Sequence, residues 1–273
     1  MNTRASLYQA RYGAPDVAVP AAGSPVIDHL LAHCSVRAYL PDPVSDDALA
    51  AMIAAAQSAA SSSNLHAWSV VAVRDPSRKA RLAEFAGDQE HIRQAPLLLV
   101  WLADLARLEH VASQLDEQSI ALDYLEMFEV GVIDAALAAQ NAVAAAESLG
   151  LGTVYIGAMR NKPEEVAAEL QLPARVVAMF GLCVGTPDPQ APASVKPRPP
   201  LSVVLHQETY SLPAQLTGLE QYDEAMRAFY ISQGMKVRGT WSNHSAKRIR
   251  DTQALSGRDR LVEALKGLGF PLK

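Results

Sequence analysis

The chain has 273 residues, enough for one large domain with a sizeable core or two small ones. Hydrophobic residues make up 49% and charged residues 19%, which excludes a disordered chain. A formal net charge of −5 argues against a nucleic-acid binder, which carries a basic excess. The two cysteines, Cys34 and Cys183, form no Cys-x-x-Cys pair and signal neither a zinc site nor a disulfide framework. With an N-terminus that lacks an apolar signal region, they fit a reduced, cytoplasmic setting. The most apolar run, Ala95 to Leu102, is too short to cross a bilayer, so no membrane partner is expected.

Residues 1–24, punctuated by Gly13, Pro15, Pro20 and Gly23, read as an N-terminal extension without assured order, and residues 25–273 as the main domain. A short helix is expected over Val26 to His33, stopped before Pro41 and Pro43. Ser45 followed by Asp46 and Asp47 marks a helix start, and Leu49, Met52, Ile53 and Ala56 give it an apolar face. Trp68 to Val73 is rich in β-formers and ends at Asp75-Pro76. A helix from Ser77 to Phe85 and a fully apolar strand from Pro96 to Leu102 follow. Gln114 to Leu149 reads as one long helix, nearly apolar all round from Val132 onward, as suits a core or a dimer interface. Gly150 and Gly152 end it. Strands are expected at Thr153 to Ile156 and Val176 to Val184, with a helix opened by Pro163 between them. Six prolines between Pro187 and Pro200 rule out regular structure there, and helices resume near Leu219 to Ile231 and Asp259 to Leu268. Without a βαβ repeat, the fold class is α+β rather than doubly wound.

Four stretches carry residue types suited to binding chemistry. In His33-Cys34-Ser35-Val36-Arg37 a histidine, a hydroxyl and an arginine alternate, which in extended backbone puts all three on one face. That face either offers donors to an anion, for which the planar guanidinium is suited, or is a solvated surface loop. Lys196-Pro197-Arg198 places two cations at alternate positions on a stiff backbone, a match for a phosphate dianion or a solvated basic linker. Ser61-Ser62-Ser63-Asn64 supplies hydroxyl and amide groups at a helix end, or is an ordinary loop. Thr153-Val154-Tyr155-Ile156-Gly157-Ala158-Met159-Arg160 takes a strand into a glycine, which either lets a ligand approach the backbone or merely ends the strand. No hydrolase elbow, Walker loop or metal-ligand cluster is present, so no metal and no side chain as obligatory acid or base is assigned.

In unbroken order from Val26 onward, these segments resemble the NAD(P)H-dependent nitroreductase and flavin reductase family, specifically its major oxygen-insensitive branch. The resemblance rests on His33-Cys-Ser-Val-Arg37-Ala-Tyr39, Ala60-Ser-Ser-Ser63, Asp134-Ala-Ala-Leu-Ala-Ala-Gln140, Ala146 through Gly157, Phe180-Gly-Leu-Cys-Val-Gly185, Lys196-Pro-Arg198, Gln221-Tyr-Asp-Glu224 and Thr240-Trp-Ser-Asn-His244. It implies a nitroreductase-like sandwich, with a central, mainly antiparallel sheet flanked by helices in an intertwined homodimer. It further implies FMN as cofactor, NADPH or NADH as reductant, and ping-pong transfer of two electrons to nitroaromatics, quinones or free flavins, with the chemistry at flavin N5. The implied FMN contacts are His33, Cys34, Ser35, Val36, Arg37, Ser61, Gln89, Glu90, His91, Tyr155, Ile156, Gly157, Ala158, Lys196, Pro197 and Arg198, the basic ones at the phosphate end. The implied substrate contacts are Ser62, Ser63, Asn64, Lys236 and Arg238. Two departures from the family pattern are Asn64, where an aromatic commonly stands, and Gln233, where an arginine grips the NADPH 2′-phosphate. A dedicated flavin reductase or a specific-metabolite reductase on the same scaffold is the rival reading, and a flavin-binding protein without turnover a third.

Overall fold

The computed structural model describes residues 3–236 and 239–273. In chain order the helices are α1 (Arg4–Tyr12), α2 (Pro25–Leu31), α3 (Asp46–Gln57), α4 (Pro76–Phe85), α5 (Glu90–Gln94), α6 (Ala106–Gln114), α7 (Leu125–Ser148), α8 (Pro163–Glu169), α9 (Leu201–Val204), α10 (Leu216–Ser232), α11 (Trp241–Arg248) and α12 (Leu261–Gly267). The strands are β1 (Trp68–Val73), β2 (Leu97–Asp104), β3 (Gly152–Ile156) and β4 (Val176–Gly185). They separate into two compact units, one of residues 1–34 and 194–255, the other of residues 35–193 and 256–273.

The larger unit is built on a sheet of order β1-β2-β4-β3, antiparallel at every pairing. β2 and β4 are apolar along nearly their whole length because both faces are covered. On one face Leu98, Val100 and Cys183 meet Leu82 and Ala83 of α4 and Val166 of α8. On the other Leu97, Leu99, Trp101 and Leu182 meet Met52 and Ala56 of α3 and Ala138, Ala139, Ala142 and Val143 of α7. The alanines let α7 lie close to the sheet. Gly131 continues that contact, since a Cβ there would stand 3.1 Å from both Ala103 Cβ and the Ala67 carbonyl. α7 is long and apolar enough to cross a membrane by length and composition alone, yet this buried face is the core of the unit. Ile133 and Leu137, also on α7, are left exposed.

The smaller unit has no strand among its described residues. α1 is capped by the Thr3 hydroxyl at its start and by Gly13 in the left-handed conformation (φ +64) at its end. Arg4 pairs with Asp28 on α2, at 2.8 and 3.1 Å. α10 buries Gly218, Tyr222 and Met226, and the Tyr222 ring packs 5.2 Å from that of Trp241 on α11.

Most expected elements appear within a few residues of their forecast ends, and Ser45 caps α3 as read, accepting from Ala48 N–H. Three differences have physical causes. The long helix begins at Leu125, not Gln114, because the Leu115 to Asp123 stretch is polar and breaks into a turn and a 3-10 segment, leaving α6 as a separate helix. Gly150, at φ +80, ends α7, but Gly152 belongs to β3. Residues 4–12, part of the extension expected to lack assured order, form α1, a helix that buries Leu7 and is fastened by the charged side chains of Arg4 and Arg11.

Candidate functional site

Within the sheet unit, the 35–37 tract adds itself to the free edge of β3. Ser35 forms a parallel bridge with Thr153, and Val36 N–H donates to the Thr153 carbonyl at 2.9 Å. Gly152 makes this approach possible, because a Cβ there would fall 2.6 Å from Val36 Cγ2. The Tyr39 hydroxyl closes the tract by donating to the Val36 carbonyl at 2.6 Å. Val36 is consequently buried while Ser35 and Arg37 face outward, the alternation the sequence predicted. No carboxylate pairs with Arg37 among the described residues.

Arg37 acts on His91 of α5. Burial and then the Arg37 charge push the His91 imidazole below its ordinary pKa, so it stays neutral near pH 7. Its Nε2 is buried with no hydrogen-bond partner among the described residues, the signature of a group awaiting one. Gln89 directly precedes α5 and donates its side-chain amide to the Ala86 carbonyl at 2.7 Å, whereas exposed Glu90 pairs with Arg93.

At the other end of β3 the chain turns at Gly157 beside a hollow of about 390 Å³, which Tyr155, Arg160 and Phe180 line together with Ala136 and Gln140 of α7. Ile156 is buried, so it and Ala158 present backbone rather than side chains. An added Cβ at Gly157 would meet nothing closer than the Arg160 guanidinium, at 3.5 Å. The space over this peptide is open, which favours close approach by a ligand over a bare strand end. Arg160 closes the Thr153 to Arg160 stretch of the sequence but carries no assigned role there. It donates to the Met179 carbonyl, and burial lowers its pKa. Its place three residues after the strand-ending glycine was the available signal.

The serine run forms the turn between α3 and β1. Asp134, 1% exposed on α7, accepts from Ser61 Oγ at 2.8 Å, Ser62 N–H at 3.3 Å and Ala67 N–H at 3.0 Å. Ser61 Oγ also accepts from His66 N–H at 2.8 Å, so its proton and one lone pair are committed inside the turn. Ser62, Ser63 and Asn64 are exposed, and Ser63, Asn64 and His66 all adopt positive φ. Three such residues in four make a strained corner, and strain of this kind gathers at ligand sites. Asp134 was read only as part of a motif; its role as the anchor of this corner depends on a contact 73 residues away.

In the smaller unit, Lys196 and Arg198 are exposed and Pro197 between them is buried, repeating the out–in–out pattern. Here no strand fixes the pattern. The Pro197 carbonyl accepts from the Tyr222 hydroxyl at 3.2 Å, and Arg198 N–H donates to the Arg11 carbonyl at 2.7 Å. The Arg11 guanidinium donates to the carbonyls of Leu31 at 2.7 Å, His33 at 2.6 Å and Lys196 at 3.0 Å. Thus His33 and Lys196 are brought together around one buried cation. This unit has its own hollow, about 790 Å³, between α1 and α10; Gln221, Tyr222 and Glu224 of the quoted motif line it, and none of the implied FMN or substrate contacts does. Lys236 is exposed, and Arg238 lies outside the described residues.

Residues 30–186 match the model of the nitroreductase family, and residues 196–273 match that of the nitroreductase family C-terminal domain. The chain belongs to the nitroreductase family. This nitroreductase-family chain is 39% identical over 248 residues to the oxygen-insensitive NADPH nitroreductase of Salmonella typhimurium, covering 90% of the chain and 98% of that protein. It is 41% identical over 206 residues to an FMN reductase [NAD(P)H] of Bacillus subtilis, covering 75% and 82%. Its fold matches the structure of the hypothetical oxidoreductase YcnD from Bacillus subtilis with a TM-score of 0.86 at 36% identity, over 92% of this chain and 100% of that one.

Proposed function

We propose that this chain is an FMN-dependent oxidoreductase that moves two electrons from NADPH or NADH to small acceptors such as nitroaromatics, quinones or flavins. The residues present suit FMN. Arg37, Lys196 and Arg198 are each suited to a phosphate dianion, and arginine presents a planar fork to phosphate oxygens. The orphaned Nε2 of His91 and the open peptide at Gly157 suit a polar, flat heterocycle. When bound, FMN supplies hydride acceptance and donation at its N5. The protein's share is to bind, orient and shield. Arg37, Lys196 and Arg198 hold the phosphate; the Tyr155 to Ala158 backbone and Gln89 address the ring; the Ser61 corner carries Ser62, Ser63 and Asn64 toward the acceptor. Asn64 cannot stack as an aromatic does, which favours acceptors gripped by hydrogen bonds. Lys236 and Arg238 would meet the nicotinamide cofactor, and Gln233, lacking a charge, leaves NADH usable. No side chain is assigned a proton-transfer role.

The observation that carries the reading is the repeated out–in–out cationic tract, at Ser35–Arg37 and at Lys196–Arg198, within a nitroreductase-family chain. We further propose a cytoplasmic homodimer without nucleic-acid or membrane partners, in which exposed Ile133 and Leu137 on α7 become covered. The deciding experiment is the absorption spectrum of the purified protein, followed by anaerobic addition of NADPH and then of NADH. A flavin spectrum that bleaches, and that a nitroaromatic restores, is expected. A colourless protein that binds no added FMN sinks the proposal. Faster reoxidation by free FMN than by nitroaromatics would favour the dedicated flavin reductase.

A further inference from the structure

α1 lies outside both stretches that match the family models, yet it is joined to residues assigned above to the FMN phosphate. Arg11, in its last turn, is only 7% exposed, and its guanidinium donates to three backbone carbonyls. Nη2 donates to the Leu31 and His33 carbonyls, Nη1 to that of Lys196, and Nε again to Leu31 at 3.2 Å. Its own carbonyl accepts from Arg198 N–H at 2.7 Å. One residue therefore fixes the backbone of His33, Lys196 and Arg198 at once. The helix that carries it is held at both ends. Arg4 grips Asp28 at the start, and Gly13 at the finish sits where a Cβ would stand 2.9 Å from Ala225 Cβ and 3.1 Å from Pro197 Cγ.

A guanidinium buried among carbonyls has a chemical consequence. It neutralises the oxygen dipoles that would otherwise face an incoming anion, and its fixed fork sets the spacing of the segments it joins. Lys and Arg side chains are long and rich in rotamers. Fixing the backbones of Lys196 and Arg198 restricts where the ammonium and guanidinium heads can reach, which lowers the ordering cost of gripping a phosphate. We propose that α1 is a brace for phosphate binding and that Arg11 is its positioning residue, acting through His33, Lys196 and Arg198 without touching the ligand. The inference rests on the FMN reading above.

The test compares two ligands that differ only in phosphate. Dissociation constants for FMN and riboflavin are measured by flavin fluorescence on the full-length flavin-free protein, for wild type, Arg11→Ala and Arg11→Gln, with thermal melts alongside. Wild type is expected to prefer FMN strongly. In the variants FMN binding weakens about tenfold, the scale of one charge-assisted contact, while riboflavin binding changes less than about twofold. Gln, which keeps one amide donor, is expected to lose less than Ala. An unchanged FMN-to-riboflavin preference in a folded variant overturns the brace and leaves the FMN reading intact. Equal weakening of both ligands, or failure of both variants to fold, assigns Arg11 to the fold alone and also overturns it. Absence of FMN binding by wild type removes the functional reading itself.

Discussion

Two tracts of this molecule present cations in the same pattern by different means. Ser35-Val36-Arg37 is held by a β ladder: its buried valine lies over Gly152, and its backbone is paired to Thr153. Lys196-Pro197-Arg198 has no strand to lean on. Proline supplies stiffness but no N–H, and side chains from elsewhere, Arg11 and Tyr222, hold its carbonyls. The difference teaches that an alternating pattern is a demand for support rather than the support itself. A sheet edge meets the demand with backbone, whereas a helical unit must meet it with long polar side chains.

The largest effect is expected from removing the cations the two tracts present. Arg37→Ala and Arg198→Ala should each weaken FMN binding by about 1.5–3 kcal/mol, roughly 10- to 150-fold, since each deletes a hydrogen bond to a charged group. Equilibrium dialysis with FMN checks this. Undiminished binding in both variants would detach the tracts from phosphate, and a loss confined to one would show that the resemblance between them is formal.

A smaller effect separates the two kinds of support. Gly152→Ala forces a methyl to within 2.6–2.9 Å of the buried Val36 side chain, which is β-branched and has little freedom to turn away. Overpacking of this kind costs about 1–3 kcal/mol of stability. Tyr222→Phe deletes one hydrogen bond to the Pro197 carbonyl, worth about 0.5–1.5 kcal/mol. Chemical denaturation of both variants should rank Gly152→Ala as the more damaging. The reverse order would mean that the side-chain support is the stiffer of the two.

The same contrast explains what the sequence disclosed. Strand positions, the α3 cap and both cationic tracts were legible, because periodicity 2, a Ser-Asp-Asp start and alternate charges are local signals. The supports were not. Nothing near Arg11 announces that its guanidinium meets carbonyls 20, 22 and 185 residues away. Nothing near Asp134, in the middle of an alanine-rich helix, announces that it anchors a serine turn. α1 is not evident because it is short and followed by Gly13, Pro15 and Pro20, and its inward side mixes Leu7, Tyr8 and Tyr12 with the charged Arg4 and Arg11, whose partners depend on the fold. α6 has no counterpart among the expected elements, and the expected start of the long helix at Gln114 is too early because Leu115, Ile120, Ala121 and Leu122 mask a polar interval. Local chemistry writes the exposed groups of the two tracts, and long-range contacts write what keeps them in place.

The smallest expected effect is a dependence on pH that differs between the tracts. Beside the first, His91 is pushed below its ordinary value of 6.5 by burial and by Arg37. The unfolded chain then binds the proton more readily than the folded one, so the stability of the fold is intact above pH 6.5 and declines as pH falls below it. Beside the second, Tyr222 is raised above its ordinary value of 10.0 by burial, with Arg198 opposing. Its contribution is intact below pH 10 and is lost as pH rises, because the unfolded phenol gives up its proton first. Melting temperatures measured across acid and alkaline pH should therefore show Arg37→Ala softening the acid decline, since one of the two causes acting on His91 is gone. Arg198→Ala should leave the acid limb alone and bring the alkaline loss forward in extent, since the charge that eases Tyr222 ionisation among the described residues has been removed. An acid limb that is identical in wild type and Arg37→Ala would break the link between Arg37 and His91, leaving burial as the whole cause.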